Sequence, residues 1–363
     1  MSDRTATLAD RGMMRPPARR SSLAKTYFGT PGNTLVTLVC LAVLALVAKV
    51  AVSWLLLDAV FDGTPEDCKA SSGACWPYLA AKMRYMLFGI YPFDEQWRPL
   101  SATLLFIAAM AVSGIPRLWG KPLLFAWVAL LPVLFVLMAG GVFGLTPVPT
   151  SQWGGLPLSF MLTFVGLVCA LPLGILLALA RLSNLPAIRI LAITFIELVR
   201  GVPLISILFM ASVMLPLFMP DGVTIDKLLR AQVAIILFAA AYIAEIVRAG
   251  LQALPRGQAE AAQALGLHYW QYTLLVTIPQ ALKTVIPPLV SLFIGFFQDT
   301  TLVTIVGLLD FLNTVRTALR DPNWQGIAVL EGYVFAAVVY FVFSALMGAY
   351  SRFLEKRFRV GHD

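Results

Sequence analysis

Between positions 35 and 57 the chain runs for 23 residues with a single charged side chain, Lys49. Such a stretch has few ways to fold. About 20 apolar residues in helical form cross the hydrocarbon core of a bilayer, whereas a helix on a soluble protein needs a polar face that this run lacks. Comparable runs recur at 99–115, 122–145, 156–180, 188–215, 231–250, 284–308 and 327–350. With 59% hydrophobic and 13% charged residues in a 363-residue chain, a soluble multi-domain enzyme is excluded. The runs are continuous rather than alternating in and out over about 10 residues, which argues against a membrane barrel. The expectation is an all-α polytopic membrane protein with about eight transmembrane helices.

Lys and Arg in the flanks set orientation, because they tend to remain in the cytoplasm. The arm 1–34 carries Arg4, Arg11, Arg15, Arg19, Arg20 and Lys25, and the tail 352–363 carries Arg352, Lys356, Arg357 and Arg359. Both termini are therefore expected inside, as an even number of spans requires. The net charge of +8 is accounted for by this orientation, and no basic-aromatic module points to nucleic acid. The first run is too long for the apolar core of a signal peptide and is expected to remain as an anchor. Cys68 and Cys75 fall in the external loop 58–98, where a disulfide can persist in an oxidising compartment, whereas Cys40 and Cys169 lie in spans and read as packing residues. His268 and His362 stand apart from any carboxylate or thiol cluster, so no metal site is expected.

No phosphate-binding G-x-x-x-x-G-K-[ST] loop occurs, and neither do the nucleophile elbow or the zinc helix of hydrolases. Transport against a gradient would have to draw on ions or on a partner. Three sets of residues carry the remaining information. After the sixth run, "GQAEAAQALG" forms a polar, alanine-rich helix preceded by Pro255 and closed by Gly266, with neither the bulky apolar face nor the cations of a membrane-surface helix. Its small faces suit docking into a protein groove. Glu197, Arg200 and Glu245 lie within runs, where charges are tolerated only when they are paired or face protein or water. Glu197 and Arg200 share a helix face and can pair with each other or with Glu245 and Arg248, in a purely structural network or in contact with a zwitterionic substrate. Gly201 and Pro203 permit a break in the helix, and Thr300 and Thr301 can bond a ligand or their own helix.

Glu260-Ala261-Ala262, three residues, Gly266, nine residues and Val276-Thr277-Ile278-Pro279 resemble the E-A-A-x3-G-x9-I-x-L-P loop of bacterial ABC importer permeases, with Val276 and Ile278 as conservative departures. Glu197-Leu198-Val199-Arg200-Gly201-Val202-Pro203 is similar to the E-x-x-R-G-x-P motif of the polar amino-acid branch. Gln298-Asp299-Thr300-Thr301-Leu302 is similar to its K-D-T-S-L stretch, with Gln298 where lysine is common and Thr301 where serine is. The likeness covers residues 150–360. It implies a five-helix permease core at 150–351 with a coupling loop at 251–283, preceded by three extra helices at 35–149. That extension resembles the larger permease subunit of general L-amino-acid importers. By the same resemblance Glu260, Ala261, Ala262 and Gly266 dock on a cytoplasmic ABC ATPase dimer, which binds the ATP and magnesium. Glu197, Arg200, Gly201, Pro203, Glu245, Asp299, Thr300 and Thr301 line the path or form its polar network. The expected partners are a second permease subunit of related sequence, an external amino-acid-binding protein, an amino-acid substrate and membrane lipid. The chain is expected in the bacterial inner membrane with no cofactor or catalysis of its own. A gradient-driven secondary amino-acid transporter is the alternative, although the internal repeats common in such proteins are not found.

Overall fold

A computed structural model describes residues 27–358. The basic arm before residue 27 and the end of the tail, including Arg359 and His362, lie outside the described residues. The chain divides into two compact units, one ending at Ala74 and the other beginning at Cys75.

In the first unit, Thr30 caps α1 (Pro31–Val52) by accepting a hydrogen bond from the Asn33 N–H at 3.2 Å, with Pro31 in the first turn where its missing N–H is harmless. A π-helical turn, Ser53–Leu57, prolongs the helix. No residue of α1 is buried. An apolar helix of 27 residues, about 40 Å long at 1.5 Å per residue, requires lipid around it. Beyond it, α2 (Pro65–Ala70) begins with a reciprocal cap between Thr64 and Asp67.

The second unit opens with α3 (Trp76–Phe88), followed by α4 (Trp97–Ser113) and α5 (Lys121–Ala139). The core then runs through α6 (Gly155–Arg181), α7 (Pro186–Gly201), α8 (Leu204–Phe209) and α9 (Lys227–Ala253). The segment after α9 holds α10 (Arg256–Ala264), α11 (Tyr269–Tyr272) and α12 (Ile278–Thr284). It leads into α13 (Ile286–Asp299), which continues as a 3-10 helix to Val306. A two-residue strand, β1 (Leu309–Asp310), then bridges in parallel to Gly154 and Gly155 at the start of α6. The chain closes with α14 (Phe311–Ala318) and α15 (Val329–Phe358).

Among the described residues six helices are long and apolar enough to cross a membrane, and the bent pair α7–α8 makes a seventh if it is one span. At 17 residues α4 sits at the short end of the spanning range. This agrees with the all-α, roughly eight-helix reading. The run 188–215, read as one helix, is instead broken between Gly201 and Leu204 with a bend of 100°. Pro203 has no N–H to continue the ladder, and it forces Val202 before it into extended backbone (φ −104°, ψ 133°). The segment 58–98, read as an external loop, contains α2 and α3. Packing explains α3: Thr314 of α14 donates to the Met86 carbonyl at 2.6 Å, Lys82 pairs with Asp321 at 2.5 Å, and Tyr78 meets Trp324 edge-on.

The most extensive helix pair is α6 with α9. Small residues make it possible: Ala231, Ala234, Ala239, Ala240, Ala241 and Ala244 are all buried along α9, and Gly166 and Gly174 of α6 lie directly against Ile235 and Ile243 of α9. At Gly174 a Cβ would lie 2.6 Å from Ile243 Cγ2 and 3.0 Å from the Ala240 carbonyl oxygen. Gly174→Leu is therefore expected to destabilise the bundle by about 1–3 kcal/mol or more. Gly295→Ala, where the added Cβ meets nothing within 4 Å, should be neutral to slightly stabilising. Thermal unfolding in detergent checks the pair, and similar melting temperatures for the two variants would contradict the packing argument.

Candidate functional site: a docking helix and a charged elbow

Leu254 and Pro255 end α9 and start α10 in extended backbone. The helix stops in a double hydrogen-bonded cap: the Gly266 N–H donates to the Gln263 carbonyl at 2.9 Å and the Leu267 N–H to the Ala262 carbonyl at 3.1 Å. This pattern requires a left-handed residue, and Gly266 supplies it at φ +78°. Ala262 is buried against the rest of the segment, while Glu260, Ala261, Leu265 and Gly266 are exposed, Leu265 at 81%. The outward face of α10 thus presents one carboxylate, two glutamines and one leucine among glycines and alanines, on a helix capped at its C-terminal end.

The segment is also fixed at its root. A π-helical turn, Thr273–Thr277, leads into α12, whose Ala281, with Val285 just after it, lies so close to α9 that a Cβ on Gly250 would meet Val285 Cγ1 at 2.5 Å and the Ala281 carbonyl oxygen at 3.0 Å. Pro287 and Pro288 stand in the first turn of α13, directly after this contact.

The second cluster lies where α6, α7 and α9 meet. Arg181, in the last turn of α6, donates from Nη1 to Glu197 Oε1 of α7, and the same nitrogen lies 2.9 Å from Glu245 Oε1 of α9. Arg248 grips Glu245 through Nη2 at 2.9 Å and Nε at 3.1 Å. Arg200 stands 3.8 Å from Glu245 Oε2 with its guanidinium over the Tyr242 ring, 5.3 Å from the centroid. Glu197 and Arg200 thus pair across helices and not with each other. Arg181, which sequence reasoning missed, is the hub. Its place at the end of an apolar run made it look like an ordinary orienting flank. Gly201 and Pro203 form the exposed elbow immediately after Arg200.

The third group is separate. Thr300 is buried and donates to its own helix at the Phe297 carbonyl, 2.8 Å away. Thr301 and Asp299 are part-buried, and among the described residues no hydrogen bond or ion pair joins the three to the charged cluster. Nearby, sequence reasoning also missed Asp310. Its Oδ2 caps α14 by accepting from the Leu312 N–H at 2.9 Å, while Oδ1 is buried without a partner. Burial pushes its pKa up to about 7, against the smaller opposing pull of the Leu312 and Asn313 N–H groups and Arg316. The native state then holds a proton that the unfolded chain has already lost between about pH 4 and pH 7. Stability contributed by the neutral form is full below that window and declines across it, by up to about 1.4 kcal/mol per pH unit. Asp310→Asn should remove this dependence, so the wild-type melting temperature should fall relative to the variant between pH 5 and pH 8. A constant gap between the two proteins would contradict it.

Cys68 and Cys75 are both disulfide-bonded, and Cys40 and Cys169 are free. Among the described residues no group of three or more His, Cys, Asp or Glu side chains is arranged to hold a metal ion.

Residues 170–360 match the family described as the binding-protein-dependent transport system inner membrane component. The chain belongs to this family. It is 46% identical over 360 residues to the inner membrane amino-acid ABC transporter permease protein YhdY of Escherichia coli strain K12, covering 96% of both chains. It is 36% identical to the glutamate/glutamine/aspartate/asparagine transport system permease protein BztC of Rhodobacter capsulatus, covering 94% of both. A solved amino acid ABC transporter structure, with histidines, superposes with a TM-score of 0.50 at 30% identity, over 56% of this chain and 92% of that one. The protein is thus an ABC importer permease, a multi-pass inner-membrane subunit and not an enzyme. In this permease α10 and the charged elbow both fall within the matched residues.

Proposed function

We propose that this permease carries L-amino acids inward, powered by a cytoplasmic ABC ATPase dimer that holds ATP and magnesium and grips α10 at Glu260, Ala261, Ala262 and Gly266. The observation that carries the reading is the geometry of α10: an exposed helix, rich in small residues and capped at its C-terminal end, whose root is locked against α9 and runs on into α13 with two prolines in its first turn. Such a lever is of use only if something outside the chain pushes it, and this disfavours the gradient-driven alternative. The names of the relatives, each an amino-acid permease, supply the substrate class. A second permease subunit of related sequence completes the path, an external binding protein delivers the amino acid, and both termini lie in the cytoplasm. Glu197, Arg200, Gly201, Pro203 and Glu245 form the polar elbow of the path, with Asp299, Thr300 and Thr301 at the end of α13. Alternating inward and outward opening follows from ATPase closure.

The test is reconstitution of the complex in sealed vesicles. Uptake of labelled amino acid is expected to require ATP on the side of α10 and binding protein on the other, and to persist when ion gradients are collapsed. Uptake that follows an ion gradient without the ATPase would overturn the reading.

A further inference from the structure

The helix α3 lies before the residues matched to the family, and at 13 residues, about 20 Å at 1.5 Å per residue, it is too short to span. Its role has to come from what it touches, and it ties α6, α14 and α15 to one another. At its start the Cys75 N–H donates to Glu331 Oε1 at 2.7 Å, in the first turn of α15, where Glu331 is only 4% exposed. One turn on, the buried Tyr78 meets Trp324 edge-on. Lys82 pairs with Asp321 just beyond α14, and the buried Thr314 of α14 donates to the Met86 carbonyl. At its end the backbones interlock: a Cβ on Gly155, the first residue of α6, would lie 2.0 Å from the Leu87 carbonyl oxygen, and one on Gly89 would lie 3.2 Å from the Gly154 Cα. Opening this seam would strip partners from a buried carboxylate and a buried hydroxyl together, and a buried polar group left without a partner is costly.

Other ties at the same end of the molecule are weaker. Cys75 is disulfide-bonded, which marks this end as the one facing an oxidising compartment, outside the cell's reducing interior. Here the segment 220–226 between α8 and α9 is exposed throughout, and α8 runs on into a π-helical and then a 3-10 turn instead of regular helix. The start of α9 is fastened to the turn before α6 by an exposed bond, from Thr150 Oγ1 to Asp226 Oδ2 at 2.5 Å. Elements that move in a functional cycle are drawn from such weakly held parts.

We propose that α3 is a clasp that keeps the external ends of α6, α14 and α15 together through the whole transport cycle, so that the outer side of this chain opens only at α8 and the segment 220–226. A push arriving from the other side of the membrane is then delivered to that one place. Without the clasp the ends of α6 and α15 would yield instead, and ATP would be consumed without transport. The inference rests on the importer reading above.

The experiment uses the complete complex with its binding protein in sealed vesicles. Lys82→Cys with Asp321→Cys, in a background with Cys40 and Cys169 replaced by alanine, is joined across the seam by a short bismaleimide, and the two single-cysteine variants treated alike are the controls. Because the seam stays shut in the cycle, the joined protein should take up amino acid within about twofold of its untreated form. A larger fall in the joined protein, with the controls unaffected, would overturn the clasp. Thr314→Val with Lys82→Ala loosens the seam while keeping the shape at 314. At equal yield and equal assembly with the ATPase it should hydrolyse about twofold or more ATP per amino acid imported, the scale of one lost hydrogen bond. An unchanged ratio would overturn the proposal, since a merely structural helix would leave coupling alone. Should these variants fail to assemble, hydrogen exchange of the wild-type complex decides. Exchange at 76–88 and 311–318 should be the same with and without ATP and vanadate while exchange at 204–226 changes, and a nucleotide-dependent rise at 76–88 overturns the clasp. Wild type that takes up nothing with ATP and binding protein sinks the importer reading, whereas failure of the clasp tests beside normal wild-type uptake sinks the clasp alone.

Discussion

Glu245→Ala is expected to be the most destabilising single change in the charged cluster. Its carboxylate, 15% exposed, is shared by Arg181, Arg248 and the more distant Arg200. Removing it leaves three guanidinium groups facing only Glu197, which is itself 54% exposed and bonded to Arg181. Breaking one partner of a largely buried ion pair costs about 3–5 kcal/mol because the remaining charges stay desolvated. The elbow should splay as Arg181 and Arg200 repel, so the protein should lose folded yield and its melting temperature should drop. Glu245→Gln keeps the shape and one acceptor and should fall between. The double variant Glu245→Ala with Arg248→Ala should recover part of the loss by removing one excess charge. Melting curves of these variants beside wild type and Arg248→Ala alone in the same detergent test this, and additive losses in the double variant would show that the two groups do not act together.

The second large effect is expected at the docking helix. Glu260→Arg reverses the only charge on the exposed face of α10 between Gln258 and Gly266, and Gly266→Trp places a bulky side chain at φ +78°, where non-glycine residues lose about 1–2 kcal/mol. Neither change touches the packed core: Glu260 is exposed, and a Cβ at Gly266 would meet nothing within 4 Å. The permease should therefore fold and insert while losing the ATPase. Reversing a charge at a protein interface costs about 2–5 kcal/mol, which corresponds to at least about thirtyfold weaker docking and, combined with the strained cap, to uptake near background. Copurification of the ATPase from mild detergent, measured beside the melting temperature of the permease itself, separates lost docking from lost folding. Undiminished copurification with the double variant would place the ATPase elsewhere.

Much of this was legible in the residues, for identifiable reasons. A 20-residue apolar run has one membrane-spanning conformation, so the spans could be read directly. The helix α10 was equally readable, because Pro255, the alanines and Gly266 act through local propensity and capping. Gly201 and Pro203 announced a break, although not its 100° angle, which packing of α7 and α8 against α9 sets. What escaped was tertiary. Nothing in the neighbourhood of Arg181 distinguishes a hub from an orienting cation, and nothing in "GLLDFLN" shows that Asp310 will be buried beneath the bridge to Gly155. The α3 helix lacks a periodic apolar face and exists because α14 and the Asp321 turn hold it.

The central claim is that an external motor engages α10, and a cysteine at its most exposed apolar position reads this directly. Leu265→Cys, in a background with Cys40 and Cys169 replaced by alanine, should crosslink to the ATPase with a short bifunctional reagent, and the yield should change when ATP is added. Labelling of the same cysteine by an impermeant thiol reagent from outside intact cells, with no crosslink to an ATPase under any nucleotide condition, would contradict the account.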